Sequence, residues 1–295
     1  MTLLDCTLRT SGQLTGGAPS PQLVTDYLAV CARLGIDVIE LGRVHDPADR
    51  PGAPLPGIFP TAPADRYGPR FAVMLDAAEL PTSTAGAAAA TDRITHLLAG
   101  TPLPVGLVRV SVRYDQVARA AAPLDRLREA GFGVCLCLAE IDLASYPELD
   151  RCLADTASLG PLDAVFLVDS LGSLRPERVI ELVQSTRAAV PAPVGIHAHD
   201  NQGFALHNTM VARSAGATWQ DAAVHGIGPG AGVTRTEQLL ALLGATPDDL
   251  NPLLELIATH FAPLKRRYGW EAGPRQVMAG LARIPVASVR GLDTH

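Results

Sequence analysis

Two histidines one residue apart follow a short apolar run, in the segment "APVGIHAHDNQGF" at residues 192–204. In a strand, successive side chains alternate between faces, so His197 and His199 would point to the same side. Two neighbouring imidazoles suit a divalent metal ion, an acid–base pair or hydrogen-bonded residues that line a pocket. The two residues alone leave all three interpretations open.

An arginine and a glutamate form a second candidate pair. Arg9 follows the apolar run "LLDCTL", and Glu40 lies in "DVIEL". Alone, each is typical of a surface charge. At the ends of two neighbouring strands, however, they are expected to form a buried pair, and buried charge tends to be kept where an anion must be held. His225 stands before the glycine-rich turn "GIGPGAG" at the end of a further strand candidate.

The elements that must position these residues follow a repeating pattern. Short apolar runs rich in β-forming residues alternate with stretches of helical period, which is typical of βα units around a parallel sheet. The pattern predicts eight strands, over residues 3–8, 37–41, 70–75, 105–112, 133–138, 164–169, 193–199 and 221–226. Eight such units favour a (β/α)8 TIM barrel over an open doubly wound sheet. In addition, no GxGxxG follows the first strand, so the main sign of a dinucleotide-binding open sheet is missing.

Two regions depart from the repeat. Residues 43–69 are dense in proline and glycine, and they predict a long loop on the catalytic face that acts as a lid or a substrate wall. Residues after 245 predict further helices. We therefore expect a catalytic barrel over 1–245 and a helical extension over 246–295 that packs on the barrel or on a partner subunit.

Composition narrows the class of ligand. The net charge is −6, and no basic stripe is present, which argues against nucleic acid as a partner. No apolar run approaches the roughly 20 residues of a membrane span, and the first residues lack a signal-peptide pattern, so a cytoplasmic protein is expected. The five cysteines are expected to be reduced and buried. A small-molecule ligand is the best expectation.

Five ordered motifs carry a family resemblance: "LDCTLR", "IDVIELG", "VDSLGSL", "GIHAHDNQGFALHNT" and "GIGPGAGVTRTEQLL". They are similar in order and spacing to those of the DRE-TIM metallolyases, and most similar to the 4-hydroxy-2-oxovalerate aldolase branch, which is related to hydroxymethylglutaryl-CoA lyase. The resemblance implies a carbon–carbon lyase, or an aldol- or Claisen-type condensing enzyme, that acts on a pyruvate-like α-keto acid through an enolate. An aldehyde or acyl acceptor and a homo-oligomer are implied as well.

The resemblance also implies residue roles. Arg9 would stabilise the enolate, Glu40 would orient Arg9, and His197 and His199 would bind a divalent ion such as Mg or Mn. Asp5 would be a supporting carboxylate.

Two departures from the family pattern affect the metal. Thr10 stands where the family has a metal-binding aspartate, and Val233 stands where some members have an asparagine. The remaining imidazoles are softer ligands than Mg or Mn prefer. Three outcomes stay open: a zinc, nickel or iron ion on the two histidines and one other group, enolate chemistry without a metal, or loss of catalysis.

Substrate contacts and the proton acceptor complete the predictions. Thr10, Ser11 and Gln13 are expected to donate hydrogen bonds to the substrate, together with His45 from the long loop. His199, His45 and Tyr114 are candidates for the general base. The alternatives to an aldolase are a metal-independent isomerase, dehydratase or decarboxylase of a specialised biosynthetic pathway, and a non-catalytic barrel.

Overall fold

The core of the fold is a closed sheet of eight parallel strands. In the computed structural model, which describes residues 1–49, 70–101 and 104–289, the strands are β1 Thr2–Asp5, β2 Val38–Val44, β3 Arg70–Asp76, β4 Val105–Arg113, β5 Gly133–Ala139, β6 Ala164–Asp169, β7 Val194–Ala198 and β8 Trp219–Ala222. Each pairs with its neighbours in sequence, and β1 closes the barrel by pairing with β8. The predicted (β/α)8 barrel is confirmed.

Among the described residues, a helix follows every strand except β2, and further helices continue beyond β8. They are α1 Thr7–Thr15, α2 Pro21–Arg33, α3 Thr84–Ala99, α4 Ala121–Glu129, α5 Tyr146–Ala157, α6 Pro176–Ala189, α7 Ala205–Ser214, α8 Thr236–Leu242, α9 Pro247–Leu256, α10 Ala262–Tyr268 and α11 Pro274–Ala282. Within the described ranges, none has the length and apolar character that crossing a bilayer requires.

Local sequence explains where several helices begin. The Ser20 side chain accepts a hydrogen bond from the Leu23 amide at the start of α2. At the start of α5, the Glu148 carboxylate accepts from the Ser145 amide in a capping box. Proline occupies one of the first helical positions of both helices, where its missing N–H costs nothing.

The first unit differs from its prediction in a way that matters for the site. We predicted a strand over residues 3–8, but β1 ends at Asp5. The Asp5 carboxylate accepts a hydrogen bond from the Thr7 amide, and this turns the chain directly into α1. Arg9 and Thr10 therefore lie in the first turns of a helix and not at the end of a strand.

The segment after α8 packs on the barrel. Leu253, Phe261 and Trp270 belong to the same buried core as the strands. The Trp270 indole donates a 3.0 Å hydrogen bond to the His225 carbonyl, at the end of the eighth unit. The domain boundary at 245 stays a prediction. Most of the predicted lid, residues 50–69, lies outside the described residues.

Candidate active site

A cavity of about 180 Å³ lies at the end of the barrel where the strands finish. It is smaller than the roughly 300–1,000 Å³ of drug-sized ligand sites, so it suits a small substrate. Three arginines line it, Arg9, Arg43 and Arg109, together with His197 and His199. Of the lining residues that the structure describes, none is an aspartate or a glutamate. The lining thus presents basic and neutral groups to a ligand, which suits an anion, while Glu40 and Asp221 behind the lining balance the charges of Arg9 and Arg109.

The Arg9 side chain is held from two directions. Its Nε donates a 2.7 Å hydrogen bond to Glu40 Oε2, and its Nη1 donates a 3.0 Å hydrogen bond to Gln13 Oε1, one turn further along α1. Arg9 is 7% exposed and Glu40 is fully buried, so the two form a buried pair, with Arg9 on α1 and not at the end of a strand. Because these bonds use Nε and Nη1, Nη2 remains for an oxygen of a ligand.

Glu40 and a second carboxylate share another buried arginine. Arg109 on β4 has its Nη1 at 3.0 Å from Glu40 Oε1, and its Nη2 donates a 2.6 Å hydrogen bond to Asp221 Oδ2 on β8. The guanidinium carbon also lies 4.1 Å from the centre of the Phe166 ring. Sequence analysis missed Arg109 and Asp221. The available signal was one charged residue in each of two apolar strand candidates, Arg109 within "VGLVRVSV" and Asp221 at the start of "DAAV".

Asp221 orients His197. The carboxylate accepts a 2.9 Å hydrogen bond from His197 Nδ1. Burial opposes ionisation of Asp221, but the Arg109 guanidinium and His197 together outweigh burial and lower the pKa of the carboxylate. An ionised carboxylate only accepts hydrogen bonds, so the proton is on Nδ1 and the Nε2 lone pair is free. Burial lowers the pKa of His197 although its bond to Asp221 acts in the opposite direction.

His199 follows β7 and lies beside His197. The two ring centres are 5.3 Å apart, and the planes are nearly perpendicular. Burial, followed by the charges of His197 and Arg9, lowers the pKa of His199 to about 3. Both imidazoles are therefore neutral near pH 7, and without a bound anion His199 is a weak base.

The described residues do not assemble a Mg or Mn site. No group of three metal-binding His, Cys, Asp or Glu side chains occurs among them. The Thr10 hydroxyl is 3.0 Å from the Cys6 carbonyl and 3.2 Å from the Thr7 carbonyl, so it donates into its own helix. Two imidazoles and one hydroxyl lack the carboxylate oxygens that hard divalent ions prefer. Among the described side chains of the lining, His197 and His199 could bind a softer ion.

Two hydroxyl groups that were expected to contact the substrate donate hydrogen bonds to backbone carbonyls in this structure. The Thr10 hydroxyl donates to the Cys6 carbonyl, and the Ser11 hydroxyl donates to the Leu8 carbonyl. Serine and threonine in helices commonly bond back to the preceding turn in this way, and the expected contact of both hydroxyls with a substrate stays a prediction. Thr10 and Gln13 do line the cavity.

Other candidates lie away from the cavity lining. His45 pairs with Glu79 at the outer end of β2, and Tyr114 is buried in the hydrophobic core. His225 adopts a positive φ of 57° in a turn, with its ring against Trp270. Asp5 accepts hydrogen bonds from Tyr27 and Thr236, so it joins α2 and α8 to β1.

The five cysteines are free and buried, as expected. Cys137 lines the cavity. Burial raises the pKa of its thiol to about 12, so the thiol is protonated near pH 7 and is a poor nucleophile. Cys135 lies two residues earlier on the same strand, and burial raises the pKa of its thiol well above the usual range too.

The fold and the site define a TIM barrel whose catalytic face holds a buried Arg–Glu pair and two neutral histidines. The chain belongs to the HMGL-like family, whose model matches residues 1–260. This agrees with the DRE-TIM resemblance of the five sequence motifs.

Similar proteins carry aldolase names. The chain is 33% identical over 175 residues to a 4-hydroxy-2-oxovalerate aldolase of Brevibacillus brevis, covering 58% of this chain and 51% of that protein. It is 27% identical to 4-hydroxy-2-oxovalerate aldolase 2 of Rhodococcus opacus, covering 90% of this chain and 76% of that protein. The matched part is thus about half of the first relative and about three quarters of the second.

A solved structure has the same fold. The "N-terminal domain of a putative aldolase from Bacteroides vulgatus" superposes with a TM-score of 0.81 at 26% identity. The match covers 97% of this chain and 94% of that domain. The similarity therefore extends beyond the eight barrel units into the helices that follow them.

Proposed function

We propose that this chain cleaves or forms a carbon–carbon bond in a small 2-oxo acid through an enolate, as an aldolase does. The observation that supports this proposal most strongly is the arrangement of Arg9. Its side chain is hydrogen-bonded to Glu40 and Gln13, and its Nη2 remains for a ligand oxygen in a cavity that two neutral histidines also line. The aldolase names of relatives from Brevibacillus brevis and Rhodococcus opacus support the same chemistry. An aldehyde is the expected second product or acceptor.

In the cleavage direction, a base removes the proton of the C4 hydroxyl and the C3–C4 bond breaks. The electron pair of that bond becomes the enolate of pyruvate, and protonation at C3 completes the product. We propose His199 as the base, because its unprotonated ring lines the cavity together with Arg9, and the negative charge of a bound substrate would raise its low pKa. Arg9 Nη2 would donate to the enolate oxygen, where a preorganised donor stabilises developing charge. Glu40 would keep Arg9 in place.

Gln13 would contact the substrate as well as Arg9. Its Oε1 accepts from Arg9, which leaves the amide N–H groups to donate to a substrate oxygen. Thr10 lines the cavity, but its proton is already donated to the helix backbone, so towards a substrate it acts only as an acceptor. His45 is a weaker substrate contact, since it pairs with Glu79.

The test measures pyruvate released from 4-hydroxy-2-oxo acids. Arg9→Ala is expected to lower kcat/KM by about 10²–10³-fold, the usual cost of losing one such donor. Arg113→Met is the matched control, because Arg113 lies on β4 and is 46% exposed with surface partners. Full activity in Arg9→Ala would contradict the assignment.

The proposed reaction relies on guanidinium groups, because the donors near Thr10 do not fit a Mg or Mn ion. The rate is therefore expected to survive exhaustive dialysis against EDTA in the same assay. Elemental mass spectrometry of the same preparation gives the opposing outcome. About one divalent ion per chain in the wild type, lost in His197→Ala, would assign the two histidines to a metal site instead.

A further inference from the structure

An irregularity in β2 turns Arg43 towards the cavity. Glu40 pairs with Ala72 of β3, whereas Arg43 pairs with Met74, so three steps along β2 match two steps along β3. In a regular strand, residues three apart face opposite sides. The extra residue between Glu40 and Arg43 places both on the inner side, and Arg43 and Met74 line the cavity. Bulges often redirect a side chain beside a functional site.

Only one nitrogen of the Arg43 guanidinium, Nη1, has acidic partners among the described residues. Its Nη1 lies 3.5 Å from Asp76 Oδ2 and 3.8 Å from Glu79 Oε1. Its Nε is buried and has no hydrogen-bond partner among the described residues. A buried donor without an acceptor is costly. The edge formed by Nε and Nη2 is also the edge that can bind a carboxylate through two parallel hydrogen bonds.

Arg43 has two acidic neighbours and one basic neighbour in the turn after β3. Asp76 and Glu79 lie outside the lining, and Glu79 also pairs with His45. Arg119 adds a positive charge to the same turn, because its Nη2 donates to the carbonyls of Ala77 and Leu80. The acidic groups thus fix one side of the Arg43 guanidinium and leave the other side for a ligand.

We propose that Arg43 binds a second carboxylate, at the end of the substrate opposite the 2-oxo acid group. The inference rests on the proposed function and names its substrate class, a 2-oxo dicarboxylate. The simplest case carries a carboxylate in place of the terminal methyl of 4-hydroxy-2-oxovalerate. Loss of the O4 proton and cleavage of C3–C4 then give glyoxylate, and the enolate gains one proton at C3 to give pyruvate.

Binding tests the second carboxylate without requiring turnover. Isothermal titration calorimetry compares 2-oxoglutarate with 2-oxopentanoate, which both have five carbons and differ in the terminal group. The wild type is expected to bind 2-oxoglutarate tighter by about tenfold or more, the effect of one charge-assisted contact. Arg43→Met is expected to remove this preference while the affinity for 2-oxopentanoate stays the same. Arg113→Met is expected to keep the preference.

Three results would overturn the proposal: no preference in the wild type, no binding of either acid, or an undiminished preference in Arg43→Met. If Arg43→Met does not fold, Arg43→Lys takes its place. It keeps the charge but loses the two-bond edge, so the preference is expected to fall, and an unchanged preference would contradict the proposal.

Turnover separates failure of this inference from failure of the proposed function. Pyruvate release is compared for 4-hydroxy-2-oxoglutarate and 4-hydroxy-2-oxovalerate. Equal kcat/KM for both substrates, unchanged in Arg43→Met, would remove the Arg43 assignment and keep the aldolase. Preferential binding of 2-oxoglutarate without pyruvate release from either substrate would keep the Arg43 assignment and remove the proposed reaction.

Discussion

At the residue scale, the site depends on a row of four buried groups of alternating charge that ends on the neutral His197. Arg9, Glu40, Arg109, Asp221 and His197 contact each other in that order, at distances from 2.6 to 3.0 Å. Each buried charge has a partner of opposite sign, which is the condition under which buried ions are tolerated. The arrangement holds Arg9 and His197 relative to each other through the interior of the barrel. Neither depends on a flexible loop for its position.

Arg109 is the residue whose loss should disturb this row most. Arg109→Met would leave Glu40 and Asp221 as buried carboxylates without their shared cation. The free energy of unfolding is expected to fall by about 3–5 kcal/mol, as for other broken buried pairs. Urea denaturation measures the change. Arg113→Met on the same strand should change it by less than about 1 kcal/mol, because exposed ion pairs contribute little. Similar losses in the two variants would argue against the row as a stabilising unit.

At the scale of elements, close packing between β6 and β7 supports the site. Gly195 on β7 pairs with Phe166 on β6. A Cβ at Gly195 would lie 2.6 Å from two atoms of the Phe166 ring, too close for a normal contact. The same ring packs against the Arg109 guanidinium. The missing side chain of Gly195 therefore allows Phe166 to occupy its place beneath Arg109.

Gly195→Ala should consequently damage both packing and site geometry. Forcing a methyl group into this contact is expected to cost about 1–3 kcal/mol of unfolding free energy. Gly12→Ala in α1 is the matched control, because its nearest contact would be a backbone oxygen at 3.9 Å. That substitution should be neutral or stabilise by up to about 1 kcal/mol, since alanine is favoured over glycine inside helices. Equal midpoints in urea for the two variants would refute the packing argument.

At the scale of the whole molecule, the C-terminal segment covers part of the catalytic face. The Gln276 carbonyl of α11 accepts a 3.2 Å hydrogen bond from the Asn201 side chain after β7. Gly280 packs closely on the loop after β6, where an added Cβ would lie 3.0 Å from the Gly172 carbonyl. Arg283, at the end of α11, lowers the pKa of both Asp142 and Asp169, although burial outweighs it. The last helix thus influences carboxylates of the barrel.

This buried carboxylate pair predicts a pH dependence of stability. Burial, followed by repulsion from Asp142, raises the pKa of Asp169 to about 8. The folded state therefore binds more protons than the unfolded state between about pH 4 and pH 8, and its stability falls as pH rises through that window. Asp169→Asn should remove this contribution, because the amide carbonyl can still accept from the Ser173 amide, as the carboxylate does.

Thermal unfolding at pH 5, 6, 7 and 8 measures this effect. The wild type is expected to lose more Tm between pH 5 and pH 8 than Asp169→Asn does. Asp150→Asn, at an exposed position of α5, is the control and should follow the wild type. Parallel curves for the wild type and Asp169→Asn would contradict the proposed proton uptake.

The amino-acid sequence was enough to predict the barrel and four residues of the candidate site. Alternating periods of two and 3.6 residues specify βα units locally, so the number of strands could be read without any long-range contact. Arg9, Glu40, His197 and His199 could be singled out because each follows or ends an apolar run. The β1 boundary was wrong because one local hydrogen bond, from the Thr7 amide to Asp5, starts α1 early.

Only the tertiary structure revealed how these residues are joined. Arg109 and Asp221 are 112 positions apart and meet inside the closed barrel, a contact that no local pattern encodes. The inward direction of Arg43 depends on one extra residue in β2 relative to β3, which is a property of pairing and not of the β2 sequence alone. Local periodicity sets which elements form, whereas barrel closure and strand register set which charges lie together at the site.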